Sequence, residues 1–184
     1  MNTYRLFIDL PVDPAFSHSL FKHFDRLNLP WSKLKKVEAR DMHLTLKFLG
    51  ETPLERLEPI INALSDIKLN FREIELISAG PKIFTENNPR ILALALKPNE
   101  KLSALFLEID QSLAEAGLAA RDNRGYTPHL TLARVKEAAR PEEFEAFLNW
   151  SEQLGGWVSG YFELQESQLT PRGPKYDVMQ TFDL

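Results

Sequence analysis

Residues 43–49, HLTLKFL, and residues 129–135, HLTLARV, open with the same four letters 86 positions apart (129 − 43). With 4 His and 8 Thr in 184 residues, chance supplies about 0.17 His-x-Thr matches, so two copies with identical apolar flanks stand well above background. Each copy reads as a strand that follows a helical segment. A separation close to half the chain therefore predicts a duplicated lobe, with two related strands facing each other across a cleft. In an extended chain residues i and i+2 share a face. His43 and Thr45 then point together, as do His129 and Thr131, while Leu44, Leu46, Leu130 and Leu132 pack into the core behind them.

The segments around these strands alternate between the two regular periods. Residues 4–10 (YRLFIDL) read as a strand ended by Pro11. Phe16, Leu20, Phe21, Phe24 and Leu27 recur at helical spacing up to Pro30, leaving His18 and His23 on the solvated side. A short strand near residues 35–39 precedes the first motif, whose strand is expected to close at Gly50. Leu54, Leu57, Ile60, Ile61 and Leu64 form the next helical stripe. Residues 71–84 and 91–96 read as a hairpin across Asn87, Asn88 and Pro89. Leu102, Leu105, Phe106, Ile109 and Leu113 mark a long helix stopped by Gly117. Pro141 opens a further helix with Phe144, Phe147 and Leu148, and two final strands, 158–169 and 176–182, flank the turn TPRGPK. Glu108, Asp110, Glu115, Glu142, Glu143 and Glu145 read as exposed helical faces.

Composition narrows the function classes. The chain is 43% hydrophobic and 26% charged, an ordinary globular profile of the size that buries roughly 70% of its unfolded surface. Without cysteine there is no thiol nucleophile, disulfide framework or Cys-ligated metal. No apolar run approaches a membrane span, and the start MNTYRLFIDLP is too polar for a signal peptide, so the cytoplasm and no membrane partner are expected. A net charge of −4 argues against coating long nucleic acid and leaves room for a local basic site.

Two imidazoles and two hydroxyls on one cleft suit phosphodiester chemistry without a metal. One neutral His takes a proton from water while the other, protonated, supplies one to the departing oxygen. Thr45 and Thr131 donate to the non-bridging phosphate oxygens. A single His-x-Thr in a strand is usually a half-exposed sheet pair, and it is the duplication that reverses this reading. A zinc site needs three or four ligands, and neither His-x-His nor His-Glu-x-x-His accompanies the pair. No metal and no cofactor are therefore expected.

On these residues, together with the opening RLFIDLP and the blocks HLTLKFLGE and PHLTLAR, the sequence resembles the 2H phosphoesterases with paired H-x-T-x motifs. Within them it is similar to the bacterial and archaeal RNA 2′,3′-cyclic phosphodiesterases, historically called 2′-5′ RNA ligases. The resemblance implies an α+β fold over residues 1–184, one bilobal unit with pseudo-twofold symmetry, in which two antiparallel sheets line a central cleft and helices pack outside. It implies hydrolysis of an RNA-terminal 2′,3′-cyclic phosphate to a 2′-phosphomonoester, with reversible 2′-5′ ligation as a side activity. His43 is then the general acid for the 3′ oxygen and His129 the base for water.

The partners expected are RNA ends or small nucleotides carrying a 2′,3′-cyclic phosphate, met by a monomer. The alternative is a module that binds a nucleotide or RNA end in the same cleft without turnover. The resemblance also carries Phe48 to a base and Arg134 to a phosphate, each five residues past its His. Strict alternation puts both on the face opposite the histidines. Either a bulge intervenes or that assignment fails. Arg124, Arg172 and Lys175 are further cationic candidates at the cleft mouth, and Tyr126 and Tyr176 are candidates either for stacking on a base or for core or rim packing.

Overall fold

The computed structural model describes residues 3–85, 87–123, 125–152, 154–171 and 173–184. Along the chain run β1 (Thr3–Pro11), α1 (Pro14–Phe24), β2 (Leu34–Lys36), β3 (His43–Pro53), α2 (Leu57–Ser65), β4 (Ile74–Phe84), β5 (Ile91–Leu96), α3 (Glu100–Glu115), β6 (His129–Val135), α4 (Glu145–Leu148), β7 (Gly156–Ser159), β8 (Tyr161–Thr170) and β9 (Gly173–Asp183). Short caps set the helices: Asp13 accepts the Phe16 amide at 2.9 Å with Pro14 in the first turn, and Asn99 accepts the Leu102 amide at 2.9 Å. Gly117, at φ +68°, follows the last turn of α3. Among the described residues no helix is long and apolar enough to cross a membrane.

The strands form two antiparallel sheets, ordered β3-β1-β8-β9 and β2-β6-β5-β4-β7. Each motif strand lies beside the strand that precedes its helix, β3 on β1 and β6 on β5, which is the expected duplication. The sheets are not the two halves of the sequence, however. β2 crosses from the N-terminal half to the second sheet, and β8 and β9 return from the C-terminal half to the first. The expected strand 158–169 is in fact two strands. It breaks at Gly160, with β7 pairing β4 and β8 pairing β1.

The helices are exchanged in the same sense. α1, which links two strands of the first sheet, packs on the second: Phe16 meets Trp157 of β7 (ring centroids 5.0 Å), and Asp25 takes both bonds from Lys36 of β2. α3, which links two strands of the second sheet, packs on β3 of the first and on α2. One continuous apolar core results, in which Leu10, Leu20, Phe24, Leu44, Leu64, Leu105, Leu130, Phe144 and Leu164 are fully buried.

The strand expected to end at Gly50 continues to Pro53. Gly50 adopts φ +71° at an irregularity where Leu6 pairs Gly50 and Phe7 pairs Phe48, leaving Leu49 unmatched. A glycine permits that left-handed turn without ending the ladder. Leu44 lies at the centre of the core with no exposed surface. Leu44→Ala should cost about 3 kcal/mol, read by chemical denaturation, and a loss below about 1 kcal/mol would contradict this packing.

Candidate active site

Both motif strands carry a bulge at the same letter. In the β1–β3 ladder Asp9 pairs Thr45 and Ile8 pairs Lys47, so Leu46 is the extra residue. In the β5–β6 ladder Ala93 pairs Thr131 and Leu92 pairs Ala133, so Leu132 is extra. A bulge inverts the alternation beyond it. Consequently Leu46 and Lys47 are buried in succession, as are Leu132 and Ala133, and the next residues, Phe48 and Arg134, emerge on the histidine face. Phe48 is 69% exposed rather than part of the core. The Phe7 ring bridges it to the site, 6.2 Å from Phe48 and 4.9 Å from His43 between centroids.

The two histidines are held alike. His43 Nδ1 lies 2.9 Å from the carbonyl oxygen of Asp41, and His129 Nδ1 lies 2.8 Å from that of Thr127. A carbonyl only accepts, so each Nδ1 donates and carries the proton in the neutral ring. Nε2 is then the lone-pair nitrogen of each imidazole. Burial pulls the His43 pKa down to about 4, against the Asp41 carbonyl, which favours the cation, and with help from the Arg134 charge. His129 is lowered too, by burial first and then by Lys82 and Arg134, while the Thr127 carbonyl opposes the shift. β3 and β6 lie in contact where the sheets meet, and Arg134 sits close enough to bear on both rings and on Tyr176.

The frame is symmetric and its furnishing is not. Around His43 the neighbours are aromatic: Phe7, and Tyr176 edge-on at 5.1 Å. Around His129 they include cations. Phe84 covers the ring at 4.5 Å, Lys82 lies over Phe84 at 5.2 Å, and Arg134 is on the same strand. Thr45 and Thr131 are half-buried on the same faces as their histidines. The arrangement offers two imidazole nitrogens for proton transfer, hydroxyl and guanidinium donors for an anion, and an aromatic flank on one side only.

The family model of the 2′-5′ RNA ligase superfamily matches residues 16–161. The chain belongs to that superfamily. An RNA 2′,3′-cyclic phosphodiesterase of Archaeoglobus fulgidus is 30% identical to this superfamily member over 181 residues, covering 97% of this chain and 99% of that protein. One from Methanothermobacter thermautotrophicus is 28% identical over 185 residues, covering 98% of each. E. coli LigT, crystallised with 3′-AMP, has the same fold, with a TM-score of 0.81 at 21% identity over 100% of this chain and 99% of that one.

The other residues that the sequence reading of this superfamily chain singled out fall as follows. Asp110 is no exposed helical acid: it is 5% exposed and paired with Lys47, because the bulge turns Lys47 inward against α3. Tyr126 is a packing residue, stacked on Phe106 at 4.4 Å with its hydroxyl donating to the Thr45 carbonyl oxygen at 3.1 Å. Lys175 is paired with Asp177 at 2.7 Å, and Arg124 and Arg172 lie outside the described residues. His18 and His23 keep to the surface of α1, bonded to Pro14 and Glu152.

The reading of the residues did not single out Phe7, Lys82 or Phe84, nor a buried acid beside Thr45. Asp9 has no exposed surface, and Gln165 Nε2 donates to both its oxygens (3.2 and 3.0 Å) and to Glu163 (3.0 Å). The one available signal was an acid inside the apolar run YRLFIDL. Burial first, then the Glu163 charge, raises the Asp9 pKa to about 8, against the Gln165 bond. The folded state therefore keeps a proton that the unfolded chain releases near 3.8, and Asp9 erodes stability as pH rises from there to about 8. Asp9→Asn, neutral at every pH, should gain on the parent protein across that window, by several degrees in Tm at pH 9. Parallel Tm–pH curves for the two proteins would contradict the assignment.

Proposed function

We propose that this chain opens 2′,3′-cyclic phosphates, on RNA ends or small nucleotides, to 2′-phosphomonoesters by a metal-independent acid–base displacement. One observation carries the reading: two imidazoles with matching Nδ1 anchors, on strands bulged at the same letter, share one arginine. The relatives that bear the name RNA 2′,3′-cyclic phosphodiesterase support the substrate class. Retention of both histidines favours an enzyme over a binding module, since a binder needs phosphate donors but no acid and base.

In this mechanism water attacks phosphorus and gives its proton to His129 Nε2. The P–O3′ bond breaks on the opposite side, and the 3′ oxygen takes its proton from His43 Nε2. Thr45, Thr131 and Arg134 hold the non-bridging oxygens, whose charge reorganises in the transition state. The aromatic flank supports this direction: Phe48, with Phe7 and Tyr176 nearby, offers the base a stacking surface on the His43 side. With the base stacked there, the ribose and its departing 3′ oxygen lie toward His43. The cationic flank at His129 faces the incoming nucleophile, and a 5′-hydroxyl in the place of water forms a 2′-5′ linkage by the same displacement.

Burial holds both imidazoles neutral in the free protein, so the base is ready and the acid must still be charged. An anionic phosphate in contact favours the imidazolium. The kcat/KM profile, which reports the free enzyme, should peak on the acid side of 6.5 and fall toward alkaline pH. The kcat profile should peak higher. Coincident profiles centred above pH 7 would count against the proton inventory.

The direct test incubates the protein, with EDTA present, with an oligoribonucleotide ending in a 2′,3′-cyclic phosphate. The product should resist a 3′-specific phosphatase. His43→Ala and His129→Ala should each lower turnover by at least ~10² while nucleotide affinity stays within a few fold. Undiminished turnover in either variant removes the mechanism, and failure of the wild type to open any cyclic phosphate returns the cleft to a binding role.

A further inference from the structure

Each bulge buries one extra side chain, and the two lobes fill that position differently. In the second lobe it is Ala133, fully buried and needing no partner; in the first it is Lys47, 7% exposed. Ala133 shows that the bulge itself does not call for a cation. Lys47 Nζ donates to Asp110 Oδ1 of α3 (2.5 Å) and to the carbonyl oxygen of Ala120 (2.9 Å), and the same Oδ1 accepts the amide of Asp122 at 3.0 Å. A buried ion pair seldom stabilises a fold better than apolar residues of equal volume, and its best-attested use is to specify register.

A second link lies further along the same segment. Tyr126, flat against Phe106 of α3 (6° between planes), donates its hydroxyl to the carbonyl oxygen of Thr45. The next residue, Thr127, supplies the carbonyl that holds His129 Nδ1. A short covalent and hydrogen-bonded path therefore runs from Thr45 through Tyr126 and Thr127 to His129. The Lys47–Asp110 pair holds the stretch before Tyr126, at Ala120 and Asp122, to the strand of His43.

We infer that Lys47, Asp110 and Tyr126 are positioning residues, which fix the phase of the first bulge and set His129 against His43 across one phosphate. The inference rests on the two-histidine reading above. None of the three touches substrate; they act through Thr45, Thr127 and the strand they hold.

The test compares Tyr126→Phe, which keeps the ring stack, and the paired variant Lys47→Met with Asp110→Leu, which replaces the ion pair by apolar groups. Leu44→Ala serves as a control for simple loss of stability. With 2′,3′-cyclic AMP, each positioning variant should lose about tenfold in kcat with KM and 2′-AMP affinity within about threefold. NMR titration should show the His129 ring moving back toward the ordinary histidine range. The inference is overturned if both variants keep kcat within about twofold and leave the titrations unchanged. It is equally overturned if activity falls only in step with Tm, as in Leu44→Ala. Should the wild type open no cyclic phosphate, the functional reading fails by itself, and the imidazole titrations in the variants still decide whether the network positions His129.

Discussion

A strand turns successive side chains to opposite faces, so a residue five places beyond a histidine belongs on the far side of the sheet. The site depends on breaking that rule once in each lobe. The extra residues Leu46 and Leu132 shift the phase of the residues that directly follow them. Phe48 and Arg134 are carried into the cleft and Lys47 and Ala133 into the core. Without the bulges the cleft keeps its imidazoles and hydroxyls and loses Phe48 from its aromatic flank and Arg134 from the side of the two rings.

On this doubled frame the chemistry is divided by what burial does to charge. Both imidazoles are kept neutral by removal from water, with Arg134 adding to the effect at each. The same desolvation, with the neighbouring Glu163 charge, raises the pKa of Asp9 beside Thr45. Deep placement therefore serves two opposite titrations at once. It disfavours positive charge on the histidines and negative charge on Asp9.

Much of this was legible in the sequence because it followed regular periods. HLTL repeated, the apolar stripe of α1 and the caps at Asp13 and Asn99 are local signals, and local signals place strands and helices. What stayed hidden depended on partners distant in the chain. Asp110 sits on a helix whose neighbours are charged, and nothing local shows that Lys47, 63 positions away, waits to meet it. Phe7 and Phe84 sit in apolar runs like any core residue, and only the tertiary fold lays them against His43 and His129. The break at Gly160 was missed for a related reason. An extended chain can leave one sheet for another without changing its period.

The exchanged helices determine how the cleft can move. α1 connects two strands of one wall while its apolar face is fastened to the other, and α3 does the reverse. Each wall is thus held by a brace rooted in its opposite, in the manner of crossed ties. Spreading the cleft would mean stripping Phe16 from Trp157 on one side and Asp110 from Lys47 on the other. The crossed helices therefore oppose separation of the two sheets, since each of these contacts must break before the walls part.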